Sequence, residues 1–163
     1  MPVTIRPATE ADDAALAELE KATRLPTVSP AEYHPQAFFR STRPDEVLVA
    51  ELSGRVVGYV EVRPPTPLPS NAHVLAVEGL AVSADVRGQG IAQQLLAAVE
   101  ERAAERSAVR VTLRVLAPNA PARALYEKLG YRVEGVLVGE FRLPVGPDGA
   151  VQPVDDILMA KAL

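Results

Sequence analysis

The sequence predicts an α/β fold in which a mixed sheet carries helices on both faces. Segments with strand-like alternation and segments with helical spacing of apolar residues follow one another in the order β-α-α-β-β-β-α-β-α-β-β. With 163 residues, 48% of them hydrophobic, the chain is long enough to bury a sizeable core. No repeat or low-complexity tract interrupts it, so we expect residues 1–163 to form a single domain.

The first elements are a short strand in VTIRPA and a helix in TEADDAALAELEK. Thr9 stands where the N-cap is expected and Asp12 follows three residues later, which is the pattern of a capping box. A second helix is predicted in SPAEYHPQAFF, with Ser29 as the cap and Pro30 as the first helical residue. Pro35 is expected to keep this second helix short or irregular.

The next segments predict a hairpin, a loop and a central strand. Two β-branched runs in EVLVAELSGRVVGYVEVRPP flank LSGR, a combination typical of a tight hairpin turn. The prolines between Pro64 and Pro69 predict a stiff loop. The following strand, HVLAVEGLAV, is almost entirely apolar, so we expect it to lie centrally with both faces covered.

The C-terminal half predicts two helices and three strands. One face of the first helix, which runs to about Arg106, is marked by Ala92, Leu95, Leu96, Val99 and Ala103. A strand in VRVTLRVLA precedes a second helix in APARALYEKLG, which Gly130 is expected to end. The last two strands, RVEGVLVGEFRL and DDILMAKAL, are joined by the turn VGPDGAV.

The stretch DVRGQGIAQQLL, residues 85–96, places a glycine-rich turn directly before a helix. Glycine permits a tight turn with positive φ, and bare amides at a helix start can bind an anion such as a pyrophosphate. Two phosphate loops are excluded. Gly90 is followed by Ile91 rather than by the lysine of a Walker loop, and Gln93 replaces the third glycine of the dinucleotide fingerprint. On local chemistry alone, a turn without a ligand is an equal alternative.

Two segments resemble the cofactor-binding motifs of the GNAT superfamily of N-acetyltransferases. RGQGIA, residues 87–92, is similar to the family's Arg/Gln-x-x-Gly-x-Gly/Ala signature, and the preceding EGLAV resembles its fourth strand. NAPARALYEKLGY, residues 119–131, is similar to its second cofactor segment. The element order and length agree over essentially the whole chain. Ala92 stands where glycine is commoner, which the signature allows.

The resemblance implies a mixed, mostly antiparallel sheet of about seven strands with about four helices, opened into a V between strands 4 and 5. It also implies acetyl-CoA as the acyl donor. The backbone of strand 4 would pair with the pantetheine arm, and the amides of the turn would hold the pyrophosphate. The cofactor-binding residues implied in this way are Leu80, Ala81, Val82, Arg87, Gly88, Gln89, Gly90, Ile91, Ala92, Gln93, Asn119 and Tyr126.

Acetyl transfer to an amine needs one group that takes the amine's proton and another that protonates the departing thiolate. Tyr126 stands where the family places its general acid; a tyrosine packed in the core is the alternative. Glu78 lies on the central strand where some members carry a general base, and we expect its apolar strand to bury it. A buried acid paired with an arginine is the alternative. Asn119 contacts the cofactor, caps the helix that follows, or does both.

Metal catalysis is not expected, because the chain has two histidines, no cysteine and no close carboxylate–histidine cluster. His73 begins the same strand as Glu78, and simple alternation places it on the opposite face. We expect a surface or hydrogen-bonded role for His73 and a loop position for His34, beside Pro35.

The acceptor is expected to be a primary amine of a small molecule or amino acid that attacks directly in a ternary complex. The resemblance places it between residues 25–43, 64–71 and 139–154. Tyr33, Phe38 and Phe39 either wall this region or close the core, and we expect at least one of the two phenylalanines in the core. A protein or peptide N-acetyltransferase and a non-catalytic acyl-CoA-binding sensor are the alternatives.

Composition excludes several other partners. A net charge of −4 argues against a nucleic-acid surface. No apolar run approaches the ~18 residues of a membrane span, and the N-terminus lacks the apolar region of a secretory signal. We therefore expect a cytoplasmic protein without a membrane partner. The sequence leaves the acyl-chain preference and the oligomeric state open, a homodimer included.

Overall fold

The computed structural model describes residues 2–23 and 37–163. The strands are β1 (Thr4–Pro7), β2 (Val47–Leu52), β3 (Arg55–Arg63), β4 (Val74–Val82), β5 (Arg110–Leu116), β6 (Arg132–Leu143) and β7 (Gln152–Ala162). The α-helices in these ranges are α1 (Asp13–Thr23), α2 (Ile91–Glu105) and α3 (Ala120–Lys128), against about four predicted. The predicted helix in SPAEYHPQAFF falls mostly outside the described residues, and its end forms a 3-10 turn, Phe38–Arg40. The order of the other elements is confirmed.

The seven strands form one sheet in the order β1-β2-β3-β4-β5-β7-β6. Every neighbouring pair is antiparallel except β4 and β5, which confirms the mixed, mostly antiparallel sheet. The parallel pairing joins Val74–Ala76 to Arg110–Thr112 and ends there. Beyond it, the two strands separate, and no strand of the described residues pairs with residues 77–82 of β4 on that side. The V-shaped opening between strands 4 and 5 is confirmed.

Local sequence signals account for the turns that fix this order. Ser53 and Gly54, between β2 and β3, have φ of 52° and 77°, as a two-residue hairpin turn of the I′ type requires. Gly130, which follows α3, has φ of 95°. The Tyr131 amide then donates to the Tyr126 carbonyl at 3.0 Å, which closes the helix in the manner of a Schellman motif.

The core lies on both faces of the sheet. On one face, α2 packs Leu95, Leu96 and Val99 against Val60 and Val62 of β3. On the other face, a smaller cluster holds α1 against the sheet through Leu16, Leu19, Phe38, Val49 and Tyr59. The central strand β4 is buried only in its first half, so the expectation that both of its faces are covered throughout is wrong. None of the helices in the described ranges is long and apolar enough to cross a membrane.

Asp12 joins the start of the first helical segment to the sheet. Its carboxylate accepts a hydrogen bond from the Thr9 amide at 2.8 Å, which confirms the predicted capping box. The two terminal nitrogens of Arg6 donate to its two oxygens at 2.9 Å, and the same guanidinium binds Glu51 of β2 at 2.8 Å. The Arg6 hydrogen bonds, followed by the Thr9 amide, lower the pKa of Asp12 from 3.8 to about 2, although burial opposes this shift.

Asp12→Asn is expected to lower the free energy of unfolding by about 1–2 kcal/mol near pH 7. Because the pKa of Asp12 is lower in the folded than in the unfolded chain, this stabilisation is complete above about pH 4 and disappears as the pH falls towards 2. Urea unfolding of parent and variant near pH 7 and again near pH 2.5 measures the difference. A difference in unfolding free energy that stays constant between these two conditions would contradict the assignment.

Candidate active site

The glycine turn leads from the end of β4 into α2. Gly88 and Gly90 both have positive φ, 79° and 75°, a conformation that side chains with a Cβ rarely adopt. A Cβ built on either glycine would meet nothing within 4 Å, so the concave side of the turn is open. Asp85 lies just before the turn and accepts hydrogen bonds from Arg55 at 2.6 Å and from Ser83, which fix the chain at this point.

The amides of this turn are unpaired. From Gly88 to Gln93, six consecutive N–H groups donate to no other group in residues 2–23 and 37–163, and the helical bonding starts with Gln94 to the Gly90 carbonyl at 3.0 Å. These donors lie at the positive end of the α2 dipole. Such a set of donors is suited to a phosphate or pyrophosphate. The predicted residues Gly88, Gln89, Gly90, Ile91, Ala92 and Gln93 therefore lie together in one turn whose free amides are suited to an anion.

Arg87 connects the turn to β4. Its side chain is exposed, and its Nε donates to the Val82 carbonyl at 3.2 Å. The guanidinium therefore lies at the junction where the strand ends and the turn begins, so it adds positive charge beside the open amides.

The predicted pantetheine-binding residues lie along the opening. Leu80 and Ala81 pair with Val60 and Tyr59 of β3, so one edge of β4 is occupied. The other edge has no strand, because the pairing with β5 ends at Ala76. An extended ligand with amide groups can add to such an edge as a strand does. Only residues 83–87 separate this edge from the glycine turn, so one extended ligand can reach both.

Tyr126 lies on α3, and Asn119 is the N-cap residue directly before this helix. The side-chain oxygen of Asn119 accepts from the Ala122 amide at 3.4 Å, so the capping role is present and leaves the side-chain amide nitrogen available. Tyr126 is 7% exposed and packs edge-to-face on Tyr131, with ring centroids 6.0 Å apart. Burial raises the pKa of Tyr126, so its hydroxyl is protonated at neutral pH. The core-packing alternative for Tyr126 is therefore correct for its ring.

Glu78 occupies a β-bulge. In the register between β3 and β4, Glu61 lies opposite Gly79 and Val62 opposite Val77, which leaves Glu78 as the additional residue. Its side chain is 37% exposed, and its carboxylate lies 3.8 Å from Nε of Arg63. The expectation that the apolar strand buries Glu78 is wrong, because the bulge turns this residue out of the alternation. The predicted arginine partner is present. His73 is exposed, as expected.

Glu61 is a candidate that the sequence reasoning missed. It lies on β3 with only 16% of its side chain exposed, and it accepts a hydrogen bond from the Thr42 hydroxyl at 3.1 Å. Nη1 of Arg63 lies 3.6 Å from the same carboxylate. Burial raises the pKa of Glu61, against the opposing effects of Thr42 and Arg63. An acid inside the apolar run VVGYVEV was the signal that could have identified it.

Two of the three aromatic residues predicted to wall the acceptor region, Phe38 and Phe39, lie within the described residues. Phe38 is buried edge-to-face on Tyr59 with ring centroids 5.1 Å apart, which confirms a core role for one of the two phenylalanines. Phe39 is half-buried beside it. Tyr33 and His34 lie outside the described residues.

This arrangement of an open strand edge, an amide-lined turn and a following α3 tyrosine agrees with a family comparison. Residues 14–131 match the model of the acetyltransferase (GNAT) family. The chain belongs to this family. The glycine turn and β4 lie inside the matched range, as do Tyr126 and the two glutamates of the bulge.

Individual GNAT relatives match over different lengths. An acetyltransferase from Sodalis glossinidius is 34% identical over 91 residues, which are 56% of this chain and 60% of that protein. The crystal structure of the ribosomal-protein-alanine N-acetyltransferase from Brucella melitensis has a TM-score of 0.73 at 27% identity, covering 98% of this chain and 99% of that one. The structure of Salmonella typhimurium yncA with its cofactor acetyl-CoA has a TM-score of 0.75 at 19% identity, covering 100% and 95%. The last likeness shows the shared fold.

Proposed function

We propose that this chain is an N-acetyltransferase that moves the acetyl group of acetyl-CoA to the primary amine of a small molecule, by direct attack in a ternary complex. The observation that carries the proposal is that unpaired backbone groups lie at both ends of the segment joining β4 to α2. Among the described residues, six amides at the start of α2 are open to an anion, and one edge of β4 is open before the segment. Membership of the GNAT family supports it.

The residues of the site fit acetyl-CoA. The amides from Gly88 to Gln93 would hold its pyrophosphate, with Arg87 adding positive charge. The open edge of Leu80, Ala81 and Val82 would pair with the amides of the pantetheine arm, and Asn119 and Tyr126 would contact the cofactor, as the GNAT resemblance implies. When bound, acetyl-CoA supplies a thioester whose acetyl group an amine can attack.

The side chains of the site would handle two protons. Tyr126 is protonated at neutral pH and would donate its phenolic proton to the departing sulfur. The amine's proton would leave through Glu78, which lies at the bulge in contact with Arg63 and with solvent. A non-catalytic sensor would need neither group.

There are two candidate classes of acceptor. A small amine or amino acid is the first candidate. It is favoured because the C-terminal segment resembles the end of GNAT members that acetylate small molecules and amino acids; this segment is GEFRLPVGPDGAVQPVDDILMAKAL. A protein or peptide N-terminus is the second, because the Brucella melitensis relative, aligned over nearly its whole length, is named as a ribosomal-protein-alanine N-acetyltransferase.

A thiol-release screen separates these candidates. Acetyl-CoA is incubated with the protein and with separate panels of amines, amino acids and peptides, and free thiol is measured over time. We expect release that depends on a small amine. Release with peptides alone would replace the first candidate by the second, and binding of acetyl-CoA without release in any panel would favour the sensor.

We also propose that residues 1–163 form a single domain, that the protein is cytoplasmic and that it forms a homodimer. The edge strand β6 supports a homodimer, because it exposes the apolar side chains of Val136, Val138 and Phe141. Apolar side chains grouped on an edge strand favour contact with another chain. Light scattering of the purified protein measures the oligomeric state directly.

A further inference from the structure

Two carboxylates from neighbouring strands meet at one guanidinium. Nη1 of Arg63 lies 3.6 Å from Glu61 of β3, and Nε of Arg63 lies 3.8 Å from Glu78 of β4. Arg63 is 41% exposed, so it reaches solvent while it contacts both acids. The pair exists only because the bulge brings Glu78 to the side of the sheet that carries Arg63.

Glu61 points to the face of the sheet that also carries α1. Its neighbours on β3, Val60 and Val62, belong to the core under α2, whereas Tyr59 belongs to the cluster under α1. Since side chains alternate along a strand, Glu61 shares the face of Tyr59. This is the face opposite the α2 core, and it also carries Phe38, which belongs to one of the ranges, residues 25–43, between which the GNAT resemblance places the acceptor.

Gly79 lies on β4, between Glu61 and the opening. It lies opposite Glu61 in the sheet and belongs to the part of β4 that β5 no longer accompanies. A Cβ at Gly79 would come within 3.5 Å of the Tyr59 ring and 3.8 Å of the Glu61 carboxylate. The missing side chain therefore leaves space directly beside this carboxylate, next to the β4 edge.

The two acids differ in their suitability as a base. Glu61 has 16% of its side chain exposed, and Glu78 has 37%. Burial raises the pKa of Glu61, and the charges of Glu78 and Glu46 raise it further, whereas the Thr42 hydroxyl and Arg63 lower it. A carboxylate with a raised pKa binds a proton more readily than an ordinary glutamate, which suits a general base.

We propose that Glu61 takes the proton of the acceptor amine, and that Glu78, the more exposed of the two acids, passes it to water. The inference rests on the proposed function. As the nitrogen–carbon bond forms and the carbon–sulfur bond breaks, one amine proton moves to the Glu61 carboxylate and the Tyr126 phenol gives its proton to the sulfur. Glu61 then releases its proton through Glu78 to solvent, and Tyr126 regains one from solvent.

Matched glutamine variants test this assignment. Glu61→Gln is expected to lower kcat by about 10²–10⁴-fold near pH 7, with the Kd of acetyl-CoA unchanged within about twofold. Glu78→Gln is expected to lower kcat by about tenfold or less, most strongly at low pH, and to recover as rising pH deprotonates the amine. Glu101→Gln, on the exposed face of α2, is the control and should match the parent.

The pH profile gives a readout that a merely structural role would not change. Turnover by the parent should fall as the pH drops through the pKa of Glu61, because the protonated form cannot accept a proton. Thr42→Val removes the hydrogen bond that favours the charged carboxylate, so the acidic limb of the profile should move to higher pH while the plateau is kept. This variant keeps Glu61 itself, so it answers the question even if Glu61→Gln does not fold.

Three results would overturn the assignment, provided that the parent is active. They are a larger loss of kcat in Glu78→Gln than in Glu61→Gln, a kcat of Glu61→Gln within about twofold of the parent, or an unmoved acidic limb in Thr42→Val. A parent that binds acetyl-CoA but acetylates no amine would instead contradict the proposed function. Circular dichroism and calorimetric binding of acetyl-CoA establish that each variant is folded.

Discussion

Tyr126→Phe is expected to lower kcat by about 10²–10⁴-fold, or about 3–5 kcal/mol of barrier, while the affinity for acetyl-CoA changes little. The substitution removes only the hydroxyl, so the ring keeps its packing against Tyr131. Affinity rests on backbone groups of β4 and the glycine turn, which this change leaves in place. Steady-state turnover with a responsive amine and calorimetric binding of acetyl-CoA measure the two quantities.

Tyr131→Phe is the matched control for this prediction. The Tyr131 hydroxyl is buried without a hydrogen-bond partner in the described part of the chain, and its ring is the neighbour of Tyr126. Removing such a hydroxyl is expected to leave stability unchanged or slightly higher and to leave kcat near that of the parent. If Tyr126→Phe also stays within about twofold of the parent, Tyr126 is a core residue and does not act as the general acid.

Gly90→Val is expected to weaken acetyl-CoA binding by about tenfold or more, far beyond the effect of Gln89→Ala. At φ of 75°, a β-branched residue carries about 1–3 kcal/mol of backbone strain, which the chain relieves by moving the turn away from its present shape. Its side chain would also occupy the open side of the turn. Gln89→Ala leaves the backbone donors intact, so calorimetry should find its Kd close to that of the parent.

Gly54→Val is the control that separates the effect of backbone strain on stability from the effect of the glycine turn on ligand binding. Gly54 has φ of 77° and equally open surroundings, but it lies in the hairpin turn between β2 and β3. This variant should lose thermal stability to a similar extent as Gly90→Val while it binds acetyl-CoA like the parent. Equal and slight effects of Gly90→Val and Gln89→Ala on the Kd, with both proteins folded, would refute the anion-binding turn.

Much of the fold could be predicted because its signals are local. The spacing of apolar residues located α2, the serine–glycine pair between β2 and β3 specified a hairpin turn, and Gly130 marked the end of α3. The glycine turn was predicted for the same reason, since positive φ and a helix start are properties of a few consecutive residues. The resemblance of RGQGIA to the family signature then predicted acetyl-CoA as the ligand of this turn.

The arrangement of the two glutamates could not be predicted, because it depends on how two strands pair. Alternation along β4 alone cannot show the additional residue at Glu78, which exists only in the register with β3. Glu61 accepts a hydrogen bond from Thr42, which approaches it from another part of the chain, and Arg63 lies beside it two residues along the same strand. The apolar sequence of β4 also predicted a fully covered strand, whereas the separation from β5 leaves its second half open.

Following a labelled acetyl group tests the central claim most directly. Acetyl-CoA that carries the label in its acetyl group is mixed with the protein and a responsive amine, and the labelled amide product and free thiol are both quantified. Direct transfer to the amine predicts one labelled amide for each thiol released, and Tyr126→Phe should slow both products equally. Thiol release without labelled amide would show hydrolysis, and the absence of both, despite tight binding of acetyl-CoA, would contradict the enzyme and leave the acyl-CoA-binding sensor.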